Sequence, residues 1–268
     1  MPESTRPITL PGLQAMKSKG EKIVVLTAYD ATFAQVLEAA GVDVILIGDS
    51  LGNVIQGQPT TLSVSMEDML YHCRCVVRGG KRPWSIADLP FMSYSTPQAA
   101  GENSARLLRE GGVQMVKLEG GRQRAEVVSF LVGQNIPVCA HLGLLPQSIH
   151  RLGGYHVQGT DEAAARILLE DALILEDAGA GLLVLECVPA LLAEEVTRAL
   201  RIPVIGIGAG HRCDGQVLVL HDLLGLGFGK RPRFVKDFLA ETGNIAGAVR
   251  AYVDAVRSGQ FPADEHSY

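Results

Sequence analysis

Val44-Ile45-Leu46-Ile47-Gly48-Asp49-Ser50-Leu51-Gly52-Asn53 runs from four apolar residues straight into a glycine, an acid, a hydroxyl and a second glycine. Four apolar residues without polar alternation suit a strand covered on both faces, as in a parallel sheet. The polar residues then lie at the carboxyl end of that strand, with Gly48 and Gly52 letting the chain turn sharply around the acid. An aspartate after a strand is also ordinary turn chemistry. The stretch therefore decides the fold only because its pattern recurs.

The recurrence runs the length of the chain. Lys22–Asp30 precedes the opening strand, and Trp84–Pro90, Val113–Gly121, Ile136–His141, Gly181–Cys187, Ile202–Gly210 and Val217–Leu220 follow it. Helical patterns lie between them, the strongest from Asp161 to Ala178 with Ile167, Leu168, Ala172 and Leu175 as its apolar stripe. Strands alternating with helices predict parallel pairing through right-handed crossovers, and eight such units point to a closed (β/α)8 TIM barrel, α/β in class. The barrel forms a single domain over residues 1–268, with a short N-terminal helix from Pro11 to Lys19. A C-terminal helical extension lies beyond Arg231, its helix near Gly247–Arg257, available to cover a barrel face or join subunits. An open doubly wound sheet is the structural alternative, because strand number alone does not demonstrate closure.

At 268 residues with a net charge of -5, the chain is long enough for one large core and offers no basic face for nucleic acid. A small-molecule partner fits better. The five cysteines are scattered without a CxxC pair, which points to a reducing compartment. Cys73 and Cys75, two apart on a predicted helix, face different directions and make a poor metal pair. No signal peptide or membrane-spanning run stands out, so a cytoplasmic location is expected.

In a barrel the functional groups should gather where strands end. Asp49 with Ser50, Asp88, Lys117 with Glu119, His141, and Glu186 occupy the carboxyl ends of the predicted second to sixth strands. Acids at four of five consecutive ends need a cation. With oxygen donors and no suitable Cys/His set, that cation should be hard, Mg2+ or Mn2+, held by a few carboxylates. Asp49 and Asp88 are the first candidates as ligands, with Glu119 binding directly or through water. Lys117, on the same strand face as Glu119, neutralises an anionic substrate or forms a structural ion pair. Glu186 follows Leu182-Leu183-Val184-Leu185, where apolar burial would make it a better general base, unless loop amides bind it instead. His141 either orients a neighbour or touches substrate. The run Gly206-Ile207-Gly208-Ala209-Gly210 does not fit G-x-G-x-x-G, and Ser50 lacks the nucleophile-elbow context.

Taken together, Thr27-Ala28-Tyr29-Asp30, Gly48-Asp49-Ser50-Leu51-Gly52, Ala87-Asp88-Leu89-Pro90-Phe91-Met92, Val116-Lys117-Leu118-Glu119-Gly120-Gly121, His141-Leu142-Gly143-Leu144, Pro146-Gln147-Ser148, Leu185-Glu186-Cys187-Val188-Pro189 and Asp214-Gly215-Gln216 resemble the ketopantoate hydroxymethyltransferase family. The likeness extends over nearly the whole chain. It implies an Mg2+-dependent transferase of pantothenate, and so coenzyme A, biosynthesis. The implied reaction enolises 3-methyl-2-oxobutanoate and transfers a hydroxymethyl group from 5,10-methylenetetrahydrofolate, giving 2-dehydropantoate, in a site closed against water. By matching motifs, Asp49 and Asp88 would bind the metal and Glu119 would belong to its shell. Asp49, Ser50, Asp88 and Lys117 would contact the keto acid, and Glu186 would accept the proton. A homo-oligomer, a decamer, is implied as well. Leu145, His156 and Ser63 depart from the threonine, lysine and proline common in the family at those positions. Two rivals stay open: another metal-enolate enzyme on the same barrel, and a catalytically silent barrel used for assembly or binding.

Overall fold

Buried apolar runs become eight strands: β1 Ile23–Thr27, β2 Val44–Ile47, β3 Trp84–Asp88, β4 Met115–Glu119, β5 Val138–Gly143, β6 Leu182–Glu186, β7 Val204–Ile207 and β8 Gly215–Leu218. The structure is a computed structural model and describes residues 6–227 and 231–268. All strand pairs are parallel, each strand lies beside its neighbour in sequence, and β8 returns to β1 to close the barrel. Closure excludes the open sheet. Every strand residue is buried except the last residues of β5 and β6, Gly143 and Glu186, which stand opposite each other in register.

Side chains from Val25, Leu46, Ile86, Val184, Ile205 and Val217 meet inside the barrel, and Lys117 is among them. Its aliphatic stem lies in apolar surroundings while its ammonium reaches toward the end of β3, as long basic side chains do. Outside, the helices bury a second layer. The helix Glu162–Asp177 keeps Leu168, Ala172 and Leu175 of its predicted stripe buried, but leaves Ile167 half exposed.

Two ends of the chain fasten the barrel. Lys17, on the helix Leu10–Lys19, donates to Asp214 Oδ2 at 2.8 Å, and the same oxygen accepts the Val204 N–H at 2.9 Å. The C-terminal helical extension contributes Ile245–Arg257, whose buried Tyr252 hydroxyl reaches the carbonyls of Val25 and Gln216, each at 3.0 Å. It packs over the closing strands, where the last barrel helix belongs. Among the described residues no helix is long and apolar enough to cross a membrane. The five cysteines are free.

The eighth strand differs from its expected span. Val217–Leu220 is apolar enough for a strand, but β8 begins earlier, at Gly215, and Leu220 opens the short helix Leu220–Leu223. The closing register pairs Gly215 with Ile23. A Cβ at Gly215 would lie 2.3 Å from the Ile23 carbonyl oxygen, so the approach that closes the barrel requires the absence of a side chain. Gly215→Ala is therefore expected to destabilise the fold by about 2 kcal/mol or more through overpacking. Gly133→Ala, where a Cβ meets nothing within 4 Å, should change stability by less than about 1 kcal/mol. Urea unfolding midpoints of the two variants check the contrast.

Candidate active site

The barrel register sets the site. Asp88 on β3 lies beside Lys117 on β4, and Glu119 on β4 lies beside His141 on β5. Residues opposite one another on one face of a sheet have neighbouring side chains. Asp49 follows β2 after Gly48, and Glu186 ends β6. All the residues singled out from the sequence thus reach one end of one barrel.

Their contacts form a chain. Lys117 Nζ is 3.0 Å from Asp88 Oδ1, an ion pair oblique to the hydrogen-bond direction, and the Asp49 N–H donates to Asp88 Oδ2 at 3.0 Å. Lys117 Nζ is also 3.3 Å from His141 Nδ1. That ring nitrogen lies 3.4 Å from Glu119 Oε1, while His141 Nε2 lies 3.3 Å from Glu186 Oε2. His141 therefore stands between two carboxylates, which favours its orienting role. Asp49, Asp88, Lys117, Glu119 and His141 are each no more than 4 % exposed.

Electrostatics follow from that enclosure. Burial, then the charges of Asp88 and Glu119, hold the Asp49 carboxyl well above its usual pKa. Burial would lower the Lys117 pKa, but Asp88, Glu119 and Asp49 outweigh it and raise it, so the ammonium stays charged. Burial would raise Glu119, yet the nearby His141 ring and the Lys117 charge bring it below the ordinary value. Burial and Lys117 disfavour imidazolium at His141, and the close carboxylates of Glu119 and Glu186 reverse the balance and raise its pKa. Glu186 is less enclosed than its apolar strand implies, its side chain 14 % exposed and turned to His141.

Three residues complete the floor that strand-end reasoning did not name as site residues. Buried Gln147 donates from its amide nitrogen to Asp49 Oδ2 at 2.8 Å and to the Leu89 carbonyl at 3.0 Å. Its backbone N–H donates to Glu119 Oε2 at 3.1 Å. Tyr94 donates its hydroxyl to Gln147 Oε1, and the Tyr29 and Ser50 hydroxyls are 2.8 Å apart. Gln147 belongs to the long glycine-rich loop after β5, a length that signals function. Tyr94 carries no comparable signal.

Gly48 and Gly52 act differently from the expected turn. Neither takes a positive φ, and the chain enters the short helix Leu51–Val54 at once. Their value is space. A Cβ on Gly48 would lie 2.8 Å from Ser50 Oγ and 3.4 Å from Asp88 Oδ2, and one on Gly52 would lie 2.8 Å from Val64. The turn that does depend on backbone conformation is at Glu186. Cys187 holds φ 49, rare for a side-chain-bearing residue. Its N–H bonds to the Ile207 carbonyl and its carbonyl accepts from the Gln158 N–H, both at 2.9 Å.

A hard cation fits part of this donor set. The Asp49 N–H donates to Asp88, whose charge also acts on the Asp49 carboxyl, and the buried Asp88 Oδ1, ion-paired with Lys117, and Glu119 Oε1 accept no hydrogen bond. Among the described residues no three His, Cys, Asp or Glu side chains converge as a complete metal cage. Two carboxylates with the remaining positions left to water and substrate is the usual provision for Mg2+. Glu119, engaged by Gln147 and His141, stands beside that pair.

The raised pKa of Asp49 has a sign. Its folded form binds a proton more tightly than the unfolded chain, so stability contributed below the ordinary value of 3.8 is lost as pH rises from there through the raised folded value. Asp49→Asn lacks this loss. In EDTA its melting temperature should gain on that of the parent as pH increases across the window, and added Mg2+ should stabilise the parent more than the variant. Calorimetric scans from pH 4 upward check both, and a gap independent of pH would contradict the electrostatic reading.

Comparison with known proteins agrees with the geometry. The ketopantoate hydroxymethyltransferase family model matches residues 7–264. The 3-methyl-2-oxobutanoate hydroxymethyltransferase of Nitrosococcus oceani is 61% identical over 261 residues, 97% of this chain and 99% of its own. That of Burkholderia multivorans is 60% identical over 267 residues, 99% and 98% of the two chains. Among solved structures, a 2,3-dimethylmalate lyase of the PEP mutase/isocitrate lyase superfamily superposes with TM-score 0.54 at 20% identity, over 75% of this chain and 72% of that one. A phosphonopyruvate hydrolase, in complex with oxalate and Mg++, superposes with TM-score 0.59 at 12% identity, over 96% and 92%. Those two share the fold alone, whereas the family match and the close relatives span the chain: it belongs to the ketopantoate hydroxymethyltransferase family.

Proposed function

We propose that the chain is a 3-methyl-2-oxobutanoate hydroxymethyltransferase acting in pantothenate biosynthesis, with 5,10-methylenetetrahydrofolate as the one-carbon donor and Mg2+ as the metal. The observation that carries the reading is the single connected set from Asp49 through Asp88, Lys117, Glu119 and His141 to Glu186. It combines a place for an anionic oxygen-rich substrate with a carboxylate base beside it.

In this reading Asp49 and Asp88 hold the cation, with Glu119 in its surroundings. A bound divalent cation supplies Lewis acidity toward the oxygens of a 2-oxo acid, making the adjacent C–H more acidic. Lys117 offsets negative charge as it develops, from a position already fixed by Asp88. Ser50, steadied by Tyr29, contacts the keto acid. Glu186 takes the proton from C3, and His141, 3.3 Å away, holds the carboxylate in place.

The bond balance corrects one expectation. The C3–H bond and both carbon–nitrogen bonds of the donor methylene break, while C3 gains a bond to that carbon. The hydroxyl on the transferred group needs an oxygen that neither reactant gives up, so one water is consumed. Its hydrogens and the C3 proton account for the new O–H and the two donor N–H bonds, with no net oxidation. The site therefore admits one water, and complete exclusion of water is incompatible with hydroxymethyl transfer.

A homo-oligomer, with the decamer implied by the family resemblance, is part of this reading, as is function without nucleic acid or membrane. The rival metal-enolate chemistry is separated by proton exchange. Deuterium at C3 of 3-methyl-2-oxobutanoate should be lost to water with Mg2+ and without folate, and Glu186→Gln should slow that loss by about a thousandfold. Absence of exchange in the parent protein would refute the enolisation. Exchange surviving in the variant would reassign the base.

A further inference from the structure

The chain from Gly143 to Thr160 is tied down on both sides of the site. Near its start, Gln147 holds Asp49, Glu119 and the Leu89 carbonyl. Near its end, the Gln158 N–H donates at 2.9 Å to the carbonyl of Cys187, the residue after Glu186. Gly153, Gly154 and Gly159 take φ of 71, 140 and 76°, so the segment between these ties is shaped by bends that other residues rarely adopt.

Between the ties stands Tyr155. It is 61% exposed, and among the described residues its side chain makes no hydrogen bond and no ring contact. The tie to Asp49 on one side and to the residue after Glu186 on the other place it on the stretch of chain that spans the two sides of the site. Packing of the fold does not account for an aromatic ring held there. Exposed aromatic rings on an anchored loop suit the face of a flat ligand, because stacking needs a rigid, preplaced ring.

The reaction proposed above brings two organic molecules together. The keto acid is small and lies on the floor of strand ends. The donor carries a fused heterocycle, planar at its pyrimidine ring, close to the carbon it gives up, and that carbon must reach C3 beside Glu186. We infer that the Tyr155 ring stacks on the heterocycle of the one-carbon donor and holds it over the keto acid. This rests on the function proposed above and assigns a donor-binding residue within it.

The test uses the full chain with Mg2+ and the variants Tyr155→Leu and Tyr155→Phe. Initial rates of transfer are measured with 5,10-methylenetetrahydrofolate varied at saturating keto acid, then with keto acid varied at saturating donor. Folate-free loss of C3 deuterium is followed alongside. Tyr155→Leu should raise the donor KM about tenfold, in the range that loss of one stacked ring produces. The keto-acid KM and the exchange rate should stay within about twofold of the parent, and Tyr155→Phe should restore the donor KM. A donor KM unchanged in Tyr155→Leu would overturn the assignment. So would equal loss of exchange and transfer, which marks a loop needed only for structure, or a Tyr155→Phe variant as impaired as Tyr155→Leu, which marks the hydroxyl. A parent protein active in neither assay would overturn the function itself, a result distinguishable from all three.

Discussion

A buried ammonium among buried carboxylates is the constraint on which the rest of the structure depends. Lys117 and Asp88 are both almost wholly enclosed, and Asp49 and Glu119 lie within reach of the same positive charge. Charges taken out of water are costly, and only close opposite charges offset that cost. The compensation here is incomplete, since one lysine faces three acids and Asp49 retains its proton more tightly than an exposed aspartate. Such imbalance makes little sense for stability alone. It makes sense if, as proposed, a divalent cation balances the surplus carboxylates, which would link the barrel architecture to its chemistry.

Closure of the barrel is what holds these groups at fixed distances. Each pairing, Asp88 with Lys117 and Glu119 with His141, is a matter of strand register, and a slip by one residue would turn every one of those side chains to the outer face. The register is sealed by the tight approach of Gly215 to Ile23 on the side of the barrel away from the acids. The site therefore depends on a closing contact to which it contributes no residue. Tyr252, bonding to carbonyls on β1 and next to that seam on β8, reinforces the dependence.

Most of this was legible in the residues because buried parallel strands read as apolar runs and barrel chemistry collects at their ends. β2 falls on Val44–Ile47 as expected, and Asp49, Asp88, Lys117, Glu119, His141 and Glu186 come together. The miss at β8 has a local cause, since apolarity continues through Val219 and Leu220 into a buried helical turn while the strand starts on a glycine. Gln147, visible within a quoted motif, was given no role for a different reason. Its contact with Asp49 spans 98 residues of chain, and nothing in local periodicity reports a loop side chain folding back over so long a separation. The spacing role of Gly48 was equally invisible, because it depends on where Ser50 and Asp88 project.

The site divides into parts with different physical demands. Strand ends supply a rigid, buried floor whose charges suit a small acid, and rigidity there preserves the distances on which proton transfer depends. A larger second reactant cannot enter through that floor, because apolar side chains fill the barrel interior beneath it. It must approach from the loops, where the segment from Gln147 to Gln158 bridges Asp49 beyond β2 and the end of β6, where Glu186 stands. For the proposed reaction a loop so placed has to meet opposing requirements: it must admit the donor and one water, yet hold the donor carbon in line with C3. Fixing its two shoulders by hydrogen bonds while leaving Tyr155 exposed between them satisfies both. In the proposed function the order of the floor and the openness of the loop serve one reaction that joins a small anion to a large donor.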